Sequence, residues 1–209
     1  MKDKKITETF GIMEYQYSNN NQLDPLEPLY IAKKVKNLDL KHVLINSERR
    51  EDLIDGGAYH LANTIKEIKK INSETSVEIV IHDFKEEKYL DVIMNAKPDV
   101  INHNIKTIDK FKEKVSKKIS YYRSLYILKY IKEKSPEILT RTGILVGIGE
   151  DDYEVYKMMD DALEAKCDFF TIGQYDKLKP KDLSIKENIS LDKFEEYRRG
   201  GIERSEAHV

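Results

Sequence analysis

The chain has 209 residues, enough for one large domain or two small ones with a real core, and its 36 basic and 38 acidic side chains leave a formal charge of -2 that gives no support to nucleic acid as a partner. A single cysteine, Cys167, excludes an internal disulfide and any cysteine-rich zinc or iron–sulfur site built from these residues alone. No apolar run approaches the ~18–20 residues of a membrane span, and the basic start Met1-Lys-Asp-Lys-Lys5 lacks an apolar signal core, so no membrane partner and a cytoplasmic location are expected.

Residues 6–13 read as a first strand, followed by the polar loop Ser18-Asn-Asn-Asn-Gln22. Asp24-Pro25 has the form of an N-cap followed by a first-turn proline, and it opens a helix carrying Leu29, Ala32 and Val35. A second strand is expected at 42–46 and a second helix at about 59–70. Val77 to Ile81 reads as a third strand ending at His82-Asp83, followed by a short helix at about 86–95. The strand Val100-Ile101 then ends at Asn102-His103-Asn104.

A helical region spans about 107–133, broken near Lys117-Lys118, with Leu125, Leu128 and Ile131 on one face. A fifth strand lies within 138–148 and runs into Gly147-Ile-Gly149-Glu150. Asp151 and Glu154 have the spacing of a reciprocal cap for a helix at about 152–165. Asp168 to Ile172 is the sixth strand, 176–190 an irregular polar crossing, and 191–199 a last helix ended by a Gly200-Gly201 break.

Six strands alternating with helices predict an α/β fold: a parallel sheet, open or closed into a complete or partial barrel, with helices outside. In such folds ligands sit at the carboxyl ends of the strands. The unusual polar residues of this chain fall at those places: Ser47 and Arg50, His82 and Asp83, Asn102 to Asn104, then Arg141, Glu150, Gln174 and Tyr175. The loop from Asn46 to His60 concentrates Arg49, Arg50, Glu48, Glu51, Asp52 and Asp55 around the pair Gly56-Gly57, whose backbone can approach a ligand closely. Gly147 and Gly149 at a strand-to-helix junction offer N–H groups to a carboxylate or phosphate, although a tight turn is the plainer reading. Asn102 and Asn104 suit recognition of hydroxyls or a ring edge. His82-Asp83 and His103 with Glu150 offer a metal-dependent hydrolase alternative, weakened because no two histidines have chelating spacing. Cys167, beside a strand start, reads as a small core residue.

These segments together resemble the lipoyl synthases of the radical S-adenosylmethionine (SAM) enzymes, from about residue 24 to 196. The resemblance is carried by Asn46-Ser-Glu-Arg-Arg-Glu-Asp-Leu53 with Asp55-Gly-Gly-Ala58, His82-Asp-Phe84 and Pro98-Asp-Val-Ile-Asn-His-Asn-Ile105. It continues through Tyr121-x-x-Ser124-Leu125, Thr140-Arg-Thr-Gly143, Gly147-Ile-Gly-Glu150 and Thr171-Ile-Gly-Gln-Tyr175. It implies a partial (β/α)6 barrel of TIM type over 24–190, after a degenerate strand and former cluster loop at 1–23 and before a helix and tail at 191–209. It implies SAM and two iron–sulfur clusters as cofactors, and sulfur insertion into octanoyl-lysine on a lipoyl-domain or carrier protein. The SAM contacts it implies are Ser47, Gly56, Gly57, Asn104 and Arg141, with Gly147 and Gly149 shaping the pocket.

The family's Cys-x3-Cys-x2-Cys loop falls on Gly11, Tyr15 and Ser18, and its second cysteine triplet has no counterpart in these residues. Lys106 stands where the family has Glu, and Ser116 where it has Arg. Ser205, in Arg204-Ser-Glu-Ala-His208, is a weak counterpart of the serine that caps the auxiliary cluster. The expectation is therefore a member of this family without its cluster ligands: a pseudoenzyme that keeps SAM or carrier binding, or an enzyme whose ligands come from a partner chain.

Overall fold

The computed structural model describes residues 6–9, 12–15, 23–46, 50–105, 121–176 and 184–207, the first two segments by their backbone alone. The chain folds as two compact units, Met1–Asn102 and His103–Val209. The boundary falls directly after a strand, inside the stretch expected from the resemblance to form one barrel.

In the first unit β1 (Ile6–Thr9) and β2 (Ile12–Tyr15) pair antiparallel, with Thr9 opposite Ile12. The single strand expected at 6–13 is thus two strands paired antiparallel. Residues 6–13 read as one run of β-branched and apolar residues, so periodicity does not reveal the pairing. From β2 onward the sheet is parallel: β3 (His42–Asn46), β4 (Ser76–Val80) and β5 (Val100–Asn102) follow in order. The helices between them are α1 (Glu27–Asn37), α2 (Ala58–Ile71) and α3 (Glu87–Met94). Parallel neighbours require such crossovers.

Strand alternation assigns the two sheet faces. Val43, Ile45, Val77 and Ile79 are buried, as are Ile31, Ala32 and Val35 of α1 and Leu61, Ile65 and Ile68 of α2, the stripes expected of helices covering a sheet. The alternate positions, Leu44, Asn46, Glu78 and Val80, lie on the opposite face. Helix α1 begins two residues later than Asp24-Pro25 suggests: the Asp24 carboxylate accepts from the N–H of Leu26, and its carbonyl from the N–H of Glu27. Asp24 therefore caps a turn ahead of the helix rather than the helix itself.

The second unit holds α4 (Tyr121–Lys134), β6 (Leu139–Val146), α5 (Asp152–Glu164), β7 (Phe169–Gln174) and α6 (Leu191–Ala207). Strands β6 and β7 pair parallel from Arg141 opposite Phe169 to Val146 opposite Gln174. The core joins Tyr121 and Leu128 of α4, Ile144 and Val146 of β6, Val155, Met158 and Met159 of α5, and Tyr197 of α6. The reciprocal cap at Asp151 and Glu154 forms as expected, each side chain accepting from the other's backbone N–H.

Helix α6 runs unbroken through Gly200-Gly201, where a break was expected. The glycines serve packing instead. A Cβ on Gly200 would lie 2.5 Å from the Tyr156 ring, so α6 can approach α5 there only without a side chain. The α/β architecture with parallel strands and flanking helices agrees with the expected fold class, and the sheet of the first unit is open at its antiparallel edge, β1.

Candidate functional site

The loop between β3 and α2 is held by its own charges. Arg50 grips Asp52 with two bonds, Nε to Oδ1 at 2.7 Å and Nη2 to Oδ2 at 2.5 Å, and holds that carboxyl below the usual carboxylate range. Asp55 accepts from the N–H of Gly57 at 3.2 Å and of Tyr59 at 2.9 Å, placing a negative charge at the start of α2. Gly56 and Gly57 have φ of 62° and 94°, conformations that a side chain strains. A Cβ on Gly56 would sit 3.2 Å from His82 Nε2, so this glycine also makes room for the His82–Phe84 ring pair, whose centroids are 4.6 Å apart. Arg50, Asp52 and Asp55 thus have local work that accounts for part of the charge read as surplus. Ser47 lies outside the described residues.

On the face opposite the buried Val43, Ile45, Val77 and Ile79, β3, β4 and β5 bring Asn46, Val80 and Asn102 into register at their carboxyl ends. One register row earlier stands Glu78, only 2% exposed. Its Oε2 is 3.3 Å from His42 Nε2, and its Oε1 accepts from Asn102 Nδ2 at 3.4 Å. His42 Nδ1 lies 3.2 Å from Ser76 Oγ. Asn102 is 7% exposed, and its Oδ1 has no hydrogen-bond partner among the described residues. A buried acceptor left unmatched is costly, and a donor brought by a ligand would relieve it. Glu78 is absent from the sequence reading because a charged residue alternating with Val77 and Ile79 is also what a solvent-facing strand position looks like.

In the second unit the segment after β5 is stitched to β6. The N–H of His103 donates to the Arg141 carbonyl at 2.9 Å, Thr142 Oγ1 donates to the His103 carbonyl at 2.9 Å, and the N–H of Ile105 donates to Thr142 Oγ1 at 3.3 Å. Arg141 is the third residue of the eight-residue β6 rather than a residue at its carboxyl end. Its guanidinium lies 5.0 Å from the centroid of the Phe169 ring. Asn104 is half-buried just outside regular structure.

The Gly147–Glu150 segment forms a tight turn, one of the two readings its sequence offered. The N–H groups of Gly147 and Ile148, open from sequence to an external anion or to a tight turn, both donate to the carboxylate of Glu150, the second at 3.0 Å. The Gly147 carbonyl accepts from the N–H of Lys186 at 2.8 Å and of Glu187 at 3.2 Å. Gln174 adds to this fastening: its Nε2 donates to the carbonyls of Val146 and Glu187, both at 3.2 Å, and its Oε1 accepts from the N–H of Ile189 at 2.8 Å. Gly147 has φ of 102°, and a Cβ there would collide with Gln174 and the Glu187 carbonyl; Gly149 has φ of 108°. This turn anchors the segment 184–190 to the end of β6, and Glu150 is committed to its own loop.

The residues bearing on metal chemistry are dispersed. Cys167 is half-buried before β7, its thiol donating to the carbonyls of Thr140 at 3.5 Å and Phe169 at 3.3 Å, and burial pushes its ionisation upward. Ser205 lies on exposed helix α6, its hydroxyl donating to the Ile202 carbonyl at 2.8 Å. Gly11 and Ser18 lie outside the described residues, and Tyr15 ends β2, described by its backbone alone. Among the described residues no three His, Cys, Asp or Glu side chains group as they would around a metal ion.

The profile of a family described as the Radical SAM superfamily matches residues 9–162. The lipoyl synthase of Alkaliphilus metalliredigens (strain QYMF) is 42% identical over 189 residues, covering 90% of this chain and 65% of that protein. The lipoyl synthase of Caldanaerobacter subterraneus subsp. tengcongensis is 42% identical over 188 residues, covering 90% of this chain and 66% of that protein. The chain spans about two thirds of the length of these curated relatives.

Proposed function

Because the chain belongs to the radical SAM superfamily, we propose that it is a lipoyl synthase-like member that retains ligand recognition and has lost cluster-dependent chemistry of its own. The observation that carries this reading is the donor set. The chain has one cysteine, and its thiol is turned onto two carbonyls and held protonated by burial. Cluster iron takes thiolates, so these residues do not fit either family cluster, and no reaction step is assigned through one.

SAM itself fits better. Its hydroxyl and amino groups are donors, and Asn102 Oδ1, which has no partner among the described residues, is a buried acceptor beside Glu78 at a strand's carboxyl end. Asn102 therefore joins the contacts named from sequence, Ser47, Gly56, Gly57, Asn104 and Arg141, whose proposed role is to bind and orient the ligand. Gly147 and Gly149 are proposed only to shape the turn after β6, whose N–H groups Glu150 takes. A lipoyl-domain or carrier protein bearing octanoyl-lysine is the proposed partner, as the resemblance implies. No helix among the described residues is long and apolar enough to cross a membrane, and the cytoplasm is the proposed location.

The test has two measurements on the full chain. After anaerobic reconstitution with iron and sulfide, the protein is expected to remain colourless, whereas about four irons per chain would overturn the cluster-free reading and revive an enzyme with ligands from elsewhere. Calorimetric titration with SAM is expected to give saturable binding that Asn102→Leu and Asn104→Ala each weaken at least tenfold. Binding unchanged by both substitutions would remove the pocket assignment.

A further inference from the structure

The second unit contains a cavity of about 480 Å³ that none of the preceding roles uses. Its walls are Met159, Ala162 and Leu163 of α5 and Phe170 and Ile172 of β7. Phe170 and Ile172 alternate along the strand and so share a face. The third wall is α6, from Phe194 to Ser205, a length of about 16 Å at 1.5 Å per residue.

The volume follows from the sequence of α6. Positions 194, 197, 198, 201, 202 and 205 recur at helical spacing on the side turned to the cavity. The first two are Phe194 and Tyr197, which reach the core, whereas Gly201 and Ser205 are too small to do so. Gly200, one residue away, keeps α6 close against the Tyr156 ring, so the helix cannot move in to fill the space. The result is an elongated apolar slot within the ~300–1,000 Å³ range of small-molecule sites.

Its polar lining is mostly satisfied internally. The Cys167 thiol donates to two carbonyls, and the Asp168 carboxylate accepts from Lys132 Nζ at 3.0 Å, the Thr140 N–H at 2.7 Å and Thr140 Oγ1 at 3.0 Å. Arg198 is different. It is exposed at the edge of the slot, and Glu195 takes only its Nε and Nη2. Nη1 has no partner among the described residues, leaving a cationic donor at the edge of an apolar channel.

We propose that this slot is a binding site for an unbranched aliphatic carboxylate, the chain lying along α6 between Gly201 and Phe170 and the carboxylate meeting Arg198. It stands apart from the SAM reading and rests on none of its residues.

The probe is sodium decanoate, titrated calorimetrically into the full chain below its micellar concentration, with decan-1-ol as the uncharged counterpart. The expected result is one saturable site per chain. Gly201→Leu places a side chain in the slot and is expected to weaken both ligands at least tenfold while the circular dichroism spectrum and cooperative melt are kept. Arg198→Ala is expected to weaken decanoate several-fold and leave decan-1-ol unchanged. Absence of decanoate binding to the parent protein would overturn the proposal. So would binding that survives in folded Gly201→Leu. Equal loss of both ligands in Arg198→Ala would remove the carboxylate assignment.

Discussion

His60 Nε2 lies 2.6 Å from Glu27 Oε2, with His60 8% and Glu27 3% exposed, so α1 and α2 are joined by a buried polar pair. Removing His60 leaves the Glu27 carboxylate without this bond in a buried site, and removing Glu27 takes the carboxylate from His60. Glu27→Ala and His60→Ala are each predicted to cost about 3–5 kcal/mol, measured by urea unfolding at neutral pH. Because each single change already loses the whole interaction, the double variant should cost less than the sum. Additive effects would show that the two residues act separately.

The adjacent glycines of α6 should respond in opposite directions. Gly200→Ala pushes a methyl group into the Tyr156 ring and is predicted to destabilise by about 1–3 kcal/mol despite the better helix former. At Gly201 the nearest atom to a new Cβ is Met159 Sδ at 3.5 Å, an ordinary contact. Gly201→Ala is therefore predicted to stabilise by about 0.5–1 kcal/mol. Paired thermal melts decide it, and equal effects at both positions would contradict the close approach of α6 to α5.

Glu150 is predicted to be a fastening residue. Glu150→Ala leaves the N–H groups of Gly147 and Ile148 without their carboxylate, at a predicted cost of about 1–3 kcal/mol. Amide hydrogen exchange should quicken at those two residues and in 184–190, which the same turn secures through the Gly147 carbonyl. Unchanged exchange would show that Gln174 alone holds the segment.

Asp152 gives the docking of α6 a pH dependence. Bonds from Lys193 at 2.6 Å and from the Tyr197 hydroxyl at 2.8 Å hold its carboxyl below the ordinary value of 3.8. A depressed carboxylate adds stability above the unfolded value and loses it as pH falls through the folded one. The parent protein should therefore exceed Asp152→Asn in melting temperature at pH 7, and the gap should close as the solution is taken below about pH 4. A gap independent of pH would assign the effect to packing.

Much of the first unit could be read from its residues in order. The β-branched run at 42–46 forms a strand over those residues, and the helix expected at about 59–70 forms at Ala58–Ile71, because each buries a continuous local stripe. The Asp151–Glu154 cap was also legible, since both partners belong to one turn. The antiparallel pairing of Thr9 with Ile12 was not, because residues 6–13 read as one run of β-branched and apolar residues. Gly200-Gly201 looked like a break because local propensity counts against glycine in a helix, whereas the deciding partner, Tyr156, is more than 40 residues away.

The site divides the same way. Sequence alone determined that polar residues gather at strand ends, that the motifs of a radical SAM family follow one another in order, and that one cysteine is present. These are properties of composition and spacing, settled before any contact forms. Only the tertiary structure decided what those residues face. It turned the carboxylate of Glu150 onto the N–H groups of its own loop, placed Arg141 inside β6, and buried Glu78 beside an Asn102 acceptor that has no donor among the described residues. A side chain's partner is set by which distant segment packs against it, and burial then fixes whether an unpaired group is trivial or costly.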